Sequence, residues 1–170
     1  VYGISPYSLS LKFHIPERKA EDFIARHKRA FPKIYGWMGD QHRFIKDHGF
    51  IVSRLGQTRH FPNWAKATDY DKGRMMRQAG NFPIQSLGAH LTNLAASKID
   101  AFLTEHFTSL VIMTQHDSIV VDTHPKDDGA EVQKYCERIM AEKTPTKYAP
   151  FLRVSLPVSA TMTKRWGGIE

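Results

Sequence analysis

The segment SLVIMTQHDSIVVDT, residues 109–123, constrains the fold most, because two apolar runs flank a short polar break at His116-Asp117-Ser118. Runs rich in Val and Ile on either side of so short a break predict two buried strands joined by a tight turn. Asp117 would then stand at the tip of a rigid β-hairpin, where a catalytic or metal-binding carboxylate can be held accurately in place. The alternative is an ordinary polar turn, because Asp and Ser also favour turns through their own hydrogen bonds.

The charge of the chain favours an anionic partner. Its 170 residues include 24 Lys and Arg against 17 Asp and Glu, a net charge of +7, and such a basic balance suits nucleic acid. The single cysteine, Cys136, excludes an internal disulfide and a cysteine-based zinc site. The nine histidines form no HxxxH or similar ligand pair, which disfavours an unrelated histidine-rich metal protein.

The ends and apolar runs of the chain bear on its location. No run approaches the ~18 apolar residues of a membrane span, and the first residues lack the layout of a signal peptide. We therefore expect a cytoplasmic protein with no membrane partner. The chain begins with Val1 rather than Met, and VYGISPYSLSLKF, residues 1–13, is typical of a helix end and the turn after it, so we expect a fragment and at most one domain.

Apolar spacing predicts the main elements. Helices are predicted over residues 16–31, 33–49, 72–106 and 127–143. We expect Pro32 to end the first helix, Gly49 to cap the second, and Asn81-Phe82-Pro83 to kink or break the third. Residues 49–62 predict a hairpin whose strands carry Arg54, Arg59 and His60. Residues 151–166 predict a strand, which Pro157 would confine to a sheet edge or a bulge.

A second polar set lies on the longest predicted helix. Arg77, Asn81 and Gln85 are four residues apart and so share one helical face. These side chains can reach phosphates and base edges without changing protonation. A solvated helix face is the alternative that this pattern leaves open.

Taken together, these stretches resemble the C-terminal part of family A DNA polymerases, the polymerase I type. Residues 74–91, RMMRQAGNFPIQSLGAHL, have the family's Arg, Asn, Pro and Gln at the head of a long palm helix, and VIMTQHDSIVVD is similar to its third catalytic motif. YGIS resembles the end of the fingers helix. The hairpin at 49–62 resembles a family hairpin, with Thr58 where a second basic residue is usual. Residues 152–166 resemble the closing strand that ends in Trp.

The resemblance implies an α+β fold, with long helices packed on a small antiparallel sheet whose hairpin tip carries His-Asp. Residues 1–70 would form part of the fingers and 71–170 the C-terminal half of the palm. It also implies nucleotidyl transfer with two Mg²⁺ ions, in which a primer 3′-hydroxyl attacks a deoxynucleoside triphosphate. Asp117 would help to hold the metals, and His116 would contact the primer terminus.

The resemblance further implies contacts with primer-template DNA. The residues implied are Arg77, Asn81, Gln85, Tyr2, Gly3, Arg54 and Arg59. The first three would test the geometry of the nascent base pair through minor-groove acceptors, which look alike for correct pairs. Tyr2 would pack against that pair, with Gly3 leaving room beside it. Arg54 and Arg59 would contact backbone phosphates, and the alternative is that they lie on an ordinary solvated strand face.

The sequence departs from the family pattern at two points. Ser118 stands where Glu is commoner, as in some phage-type members, so we expect a phage-like branch and a bacterial or phage-infected host cell. The first catalytic motif, Asp-(Tyr/Phe)-Ser-Gln-Ile-Glu, is absent, and one carboxylate cannot assemble a two-metal site. We therefore expect an N-terminal polymerase polypeptide as partner, meeting an apolar palm face that this chain leaves exposed. A non-catalytic DNA-binding or assembly remnant of a polymerase is the alternative, although a remnant has no use for His116-Asp117.

Overall fold

The computed structural model describes residues 3–165 of the chain. The predictions for Tyr2 and for Trp166 therefore lie outside the described residues. The fold is α+β with helices dominating, as predicted. The chain divides into two compact units, Val1–Ser86 and Leu87–Glu170. The predicted boundary between fingers (1–70) and palm (71–170) stays a prediction.

Three helices open the first unit: α1 (Pro6–Phe13), α2 (Glu17–Ala30) and α3 (Pro32–His48). Helices α2 and α3 confirm the predicted segments within a residue or two, and Pro32, which ends one pattern, also begins the next helix. Helix α1 was not predicted. It begins at Ser5, whose hydroxyl accepts the Ser8 amide at 3.1 Å, with proline at the first helical position.

A short hairpin follows α3 and completes the first core. Gly49 ends α3 with φ +72°, and β1 (Phe50–Val52) pairs antiparallel with β2 (Thr58–His60), as predicted. The predicted strand position of Arg54 is wrong, because the pairing ends at Val52 and Arg54 lies in the turn. The buried core of this unit consists of Ile45, Ile51, Phe61 and Ala79.

Helix α4 (Asp69–His106) is continuous, so no break interrupts it at Pro83. Proline removes one amide donor from a helix, and a helix of 38 residues keeps the hydrogen bonds on both sides of that gap. Buried residues also anchor it in each unit: Ala79 in the first core, and Ile99 and Leu103 in the second. The alternative of a kink at Pro83 stays a prediction.

The second unit packs a hairpin and helices against the end of α4. Strands β3 (Leu110–Gln115) and β4 (Ser118–Asp122) form the predicted antiparallel hairpin. Helix α5 (Gly129–Arg138) leads through a π turn (Ile139–Lys143) into α6 (Thr144–Tyr148). The buried core consists of Ala95, Ile99, Leu103, Val132 and Ile139. The Phe102 and Tyr135 rings stack at 3.5 Å beside this core.

Two predictions for the β-structure are wrong. Strand β3 is largely exposed rather than buried, with Leu110 at 55% and Ile112 at 57%, because the helices of the unit cover only one side of the hairpin. Residues 151–165 form no strand. Two side chains of α5 instead form hydrogen bonds with the backbone of Ala160. Its amide donates to Glu137 Oε1 at 3.1 Å, and its carbonyl accepts from Gln133 Nε2 at 3.2 Å.

None of the helices within residues 3–165 combines the length and the apolar character needed to cross a bilayer.

Candidate functional site

The tip of the second hairpin is a two-residue turn that presents His116 and Asp117 to solvent. Gln115 and Ser118 form the last cross-strand pair, so the two residues between them make the whole turn. Both side chains are exposed. Asp117 thus stands at the end of a paired β-element, as the sequence predicts.

His116 adopts a backbone conformation that L-residues disfavour. Its φ is +55°, and among the described non-glycine residues only His14 shares a positive φ. A two-residue hairpin turn requires a positive φ at one or both central residues, which is why glycine or asparagine usually stands there. Strain of this kind costs a non-glycine residue about 1–2 kcal/mol and is concentrated at functional sites.

Within the described residues, Asp117 belongs to no group of side chains that could hold a metal ion by itself. Among residues 3–165, no three His, Cys, Asp or Glu side chains come together as a metal cluster. Asp122 pairs with Leu110 at the opposite end of the hairpin, about 15 Å away for five residues of strand. Mg²⁺ takes about six oxygen ligands, so the described residues fit only part of a magnesium shell, through Asp117.

A network at the base of the hairpin ties its two ends together. The Asp127 carboxylate accepts the Thr108 amide at 2.8 Å, the Ser109 amide at 2.7 Å and the Ser109 hydroxyl at 2.6 Å. The hydroxyl of Ser109, a fully buried residue, in turn accepts the His124 amide at 3.0 Å. The Ser109 hydroxyl, and then the two backbone amides, hold the pKa of the Asp127 carboxyl below its ordinary value. We call Asp127 and Ser109 the hairpin latch.

Sequence reasoning missed the hairpin latch, since Asp127 looked like one of two acids before a helix. Its neighbour Asp128 does play that part, accepting the amides of Ala130 and Glu131 as the cap of α5. The one available signal was a pair of adjacent acids where a single cap suffices.

The polar face of α4 lies in the first unit. Arg77 and Gln85 are exposed and Asn81 is half-buried, so the three predicted residues point along an accessible side of the helix. The aliphatic part of Arg77 packs on Gly3: a Cβ added to Gly3 would lie 3.1 Å from Arg77 Cγ. Because Gly3 also has φ +72°, a larger residue there would be both strained and crowded. Gly3 itself thus contacts the helix face on which the sequence predicts DNA contacts.

The two arginines of the first hairpin have different surroundings. Arg54 lies in the turn and is exposed. Arg59 lies on β2, and its guanidinium group sits 5.6 Å from the centre of the Phe61 ring, a cation–π contact within the hairpin. Arg59 therefore has a structural contact of its own, while its exposed side stays available to an anion.

A half-buried histidine that the sequence did not single out, His42, lies on α3. His42 Nε2 is buried and has no hydrogen-bond partner among the described residues. Burial lowers the pKa of His42, while a backbone group of Met76 acts in the opposite direction. Burial therefore favours the neutral form of the His42 imidazole over the charged form.

Comparison with known proteins gives a consistent result. The family model described as DNA polymerase family A matches residues 1–168. The DNA polymerase of Bacillus phage SP01 is 34% identical over 125 residues, which are 73% of this chain and 13% of that protein. DNA polymerase I of Caldicellulosiruptor bescii is 29% identical over 149 residues, which are 85% of this chain and 18% of that protein.

A solved structure shares the fold. It is the POL domain of Pol1 from M. smegmatis in complex with DNA primer-template and dNTP, with a TM-score of 0.75 and 20% identity over 82% of this chain and 25% of that chain. The chain thus spans 13% and 18% of the lengths of the two curated relatives named above.

Proposed function

The chain belongs to DNA polymerase family A, as its motifs predicted, and we propose that it supplies the C-terminal part of a DNA-directed DNA polymerase. The reaction is template-directed addition of deoxynucleotides to a primer 3′-hydroxyl. The observation that carries this proposal is Asp117, exposed at the tip of a paired hairpin within the region that the family model matches. The Pol1 domain named above was solved with primer-template and dNTP, which supports the same partners here.

Asp117 is the metal-binding carboxylate in this proposal. When bound, two Mg²⁺ ions would activate the attacking hydroxyl and stabilise the leaving oxygen. Asp117 supplies one carboxylate to that pair, held in place by the last strand pair at Gln115 and Ser118. His116, exposed beside it, contacts the sugar or phosphate of the primer terminus.

The polar face of α4 binds the primer-template near the nascent pair. Arg77, Asn81 and Gln85 offer donors to the minor-groove acceptors, which recur in every correct base pair, so the contact tests shape without reading sequence. Gly3 packs on Arg77 in this face, which supports a role for Gly3 beside the nascent pair; Tyr2 is the proposed aromatic partner of that pair. Arg54 and Arg59 add backbone-phosphate contacts on the first hairpin.

The remaining metal ligands come from an N-terminal polymerase polypeptide. The motif Asp-(Tyr/Phe)-Ser-Gln-Ile-Glu does not occur in the sequence, and Asp117 alone cannot complete the shell of two cations. The exposed apolar side chains of β3, Leu110 and Ile112 among them, offer the surface on which such a polypeptide would dock.

Primer extension tests the proposal. The chain is assayed with Mg²⁺, a primed template and four deoxynucleotides, first alone and then mixed with an N-terminal family A polypeptide that carries the first motif. We expect extension in the mixture only, with loss of activity in Asp117→Ala and retention in Asp122→Ala, the matched acid at the other end of the hairpin. Full extension by the chain alone would refute the need for a partner. Absence of extension in the mixture, with salt-sensitive DNA binding retained, would favour the non-catalytic remnant instead.

A further inference from the structure

The end of α2 carries an exposed row of rings that no step of the proposed reaction uses. Phe23 and His27 are four residues apart and so lie along one side of α2, and Phe31 directly follows the last residue of that helix. Phe23 is 54% exposed and Phe31 is 49% exposed. Ala20 is the one buried residue of α2. We call Phe23, His27 and Phe31 the aromatic stripe.

The rings of the aromatic stripe are ordered against one another. The ring centres of Phe23 and His27 are 6.4 Å apart, and those of His27 and Phe31 are 4.7 Å apart. Tyr35 of α3 holds the His27 ring in place, because the Tyr35 hydroxyl lies within hydrogen-bond distance, 3.0 Å, of His27 Nδ1. A preformed row of this kind can receive flat groups without first ordering its own side chains.

The charge around the aromatic stripe selects an anionic partner. Glu21 and Asp22 directly precede Phe23, but from Phe23 to Gly39 the sequence contains no Asp or Glu, while four cations lie in that stretch: Arg26, Lys28, Arg29 and Lys33. All four are exposed. None of the ion pairs among the described residues involves them. An apolar protein segment would cover the rings but leave these charges unmatched.

We propose that the aromatic stripe and its four cations bind single-stranded nucleic acid, with bases stacked on the rings and phosphates beside the cations. Unpaired strands bind proteins by this combination, because every base has a flat face and every phosphate a charge. The proposal goes beyond the polymerase reaction and does not depend on Asp117 or on metal. It concerns a strand that is not base-paired, whereas the proposed α4 contacts concern the paired primer-template.

Fluorescence anisotropy with labelled oligothymidylate of about 20 nucleotides tests the site, in EDTA and at several salt concentrations. We expect Phe23→Ala and Phe31→Ala each to weaken binding about 5- to 100-fold, the range for loss of one stacked base. Arg29→Gln should weaken binding and lower the slope of log affinity against log salt by about 0.7. The matched control is Tyr70→Ala, which removes a ring that is 80% exposed but stands between Asp69 and Asp71, and should bind as the wild type does.

Each alternative has a distinct outcome. Wild-type affinity in both phenylalanine variants, or an equal loss in Tyr70→Ala, would overturn the proposal. A self-associating chain that Phe23→Ala renders monomeric, with strand binding unchanged, would show that a second copy covers the stripe and would also overturn it. Asp117→Ala should bind the strand normally, so failure of the polymerase proposal and failure of this one are separable. Equal binding of oligouridylate would support the site and show that it accepts both kinds of single strand.

Discussion

Replacing His116 with glycine should stabilise the chain while damaging its chemistry. The residue has φ +55° and an exposed side chain, so glycine removes about 1–2 kcal/mol of backbone strain and little packing. Against this gain stands the greater freedom of glycine in the unfolded chain, about 0.5–1 kcal/mol. We therefore expect His116→Gly to raise the free energy of unfolding by about 0.5–1 kcal/mol.

Two companion variants isolate the cause. His116→Ala also removes the imidazole but keeps the strained φ, so it should be less stable than His116→Gly. His14→Gly relieves the second positive φ, at the end of α1, far along the chain from the hairpin. It should gain a similar amount of stability and leave primer extension by the assembled enzyme unchanged.

Urea unfolding and primer extension together decide the matter. The midpoint should rise for both glycine variants with an unchanged slope, while both His116 variants lose extension activity to a similar degree. If His116→Gly were no more stable than His116→Ala, the backbone at the tip would be unstrained and the reasoning would fail. If both His116 variants extended primers normally, the proposed primer contact would be wrong.

Three further predictions concern other side chains. Because the pKa of Asp127 is lower in the folded chain than in the unfolded chain, protonation favours unfolding: its stabilising contribution should be present above the ordinary carboxyl pKa of about 4 and lost as the pH falls through the lower pKa of the folded chain. This is checked by urea midpoints between pH 3 and 7. Asp127→Asn should be less stable than the wild type at neutral pH and should lose less stability on acidification. An identical loss of stability would contradict this. Burial raises the pKa of Cys136 to about 11, so at pH 8 iodoacetamide should alkylate it about 100-fold more slowly in the folded chain than in urea, and equal rates would contradict the burial. Thr144 is fully buried and its hydroxyl lacks a partner among the described residues, so Thr144→Val should raise the free energy of unfolding by about 1 kcal/mol, whereas a clear loss would indicate a hydrogen bond.

Local signals predicted the elements that local contacts form. Helices α2 and α3 and both hairpins follow from apolar spacing and turn residues, which act within a few positions. Helix α1 was missed although Ser5 and Pro6 are a cap and a first-turn residue, because its apolar pattern is short. The position of His116 and Asp117 in a hairpin turn is confirmed, because two strand patterns separated by a short polar break leave few other places for the turn; their role stays a prediction.

Longer-range contacts account for the failures. The alternation in residues 151–165 resembles a strand, but Gln133 and Glu137 of α5 bond both backbone groups of Ala160, and no local pattern reveals that contact. The exposure of β3 depends on which surfaces the rest of the fold covers. The hairpin latch joins Ser109 to a residue 18 positions away, beyond the reach of any periodicity.

The hairpin latch links the start of β3 to the chain just beyond β4, so the two ends of the hairpin do not move independently. Asp127 holds the entry of β3, and Ser109 holds the backbone at His124, just beyond β4, so loss of either allows both ends to fray together. Fraying at the base would swing the tip, since a paired strand transmits tilt along its length. If the tip has the proposed role, substitution of Asp127 would therefore impair it from the opposite end of the hairpin, at a residue outside the proposed site.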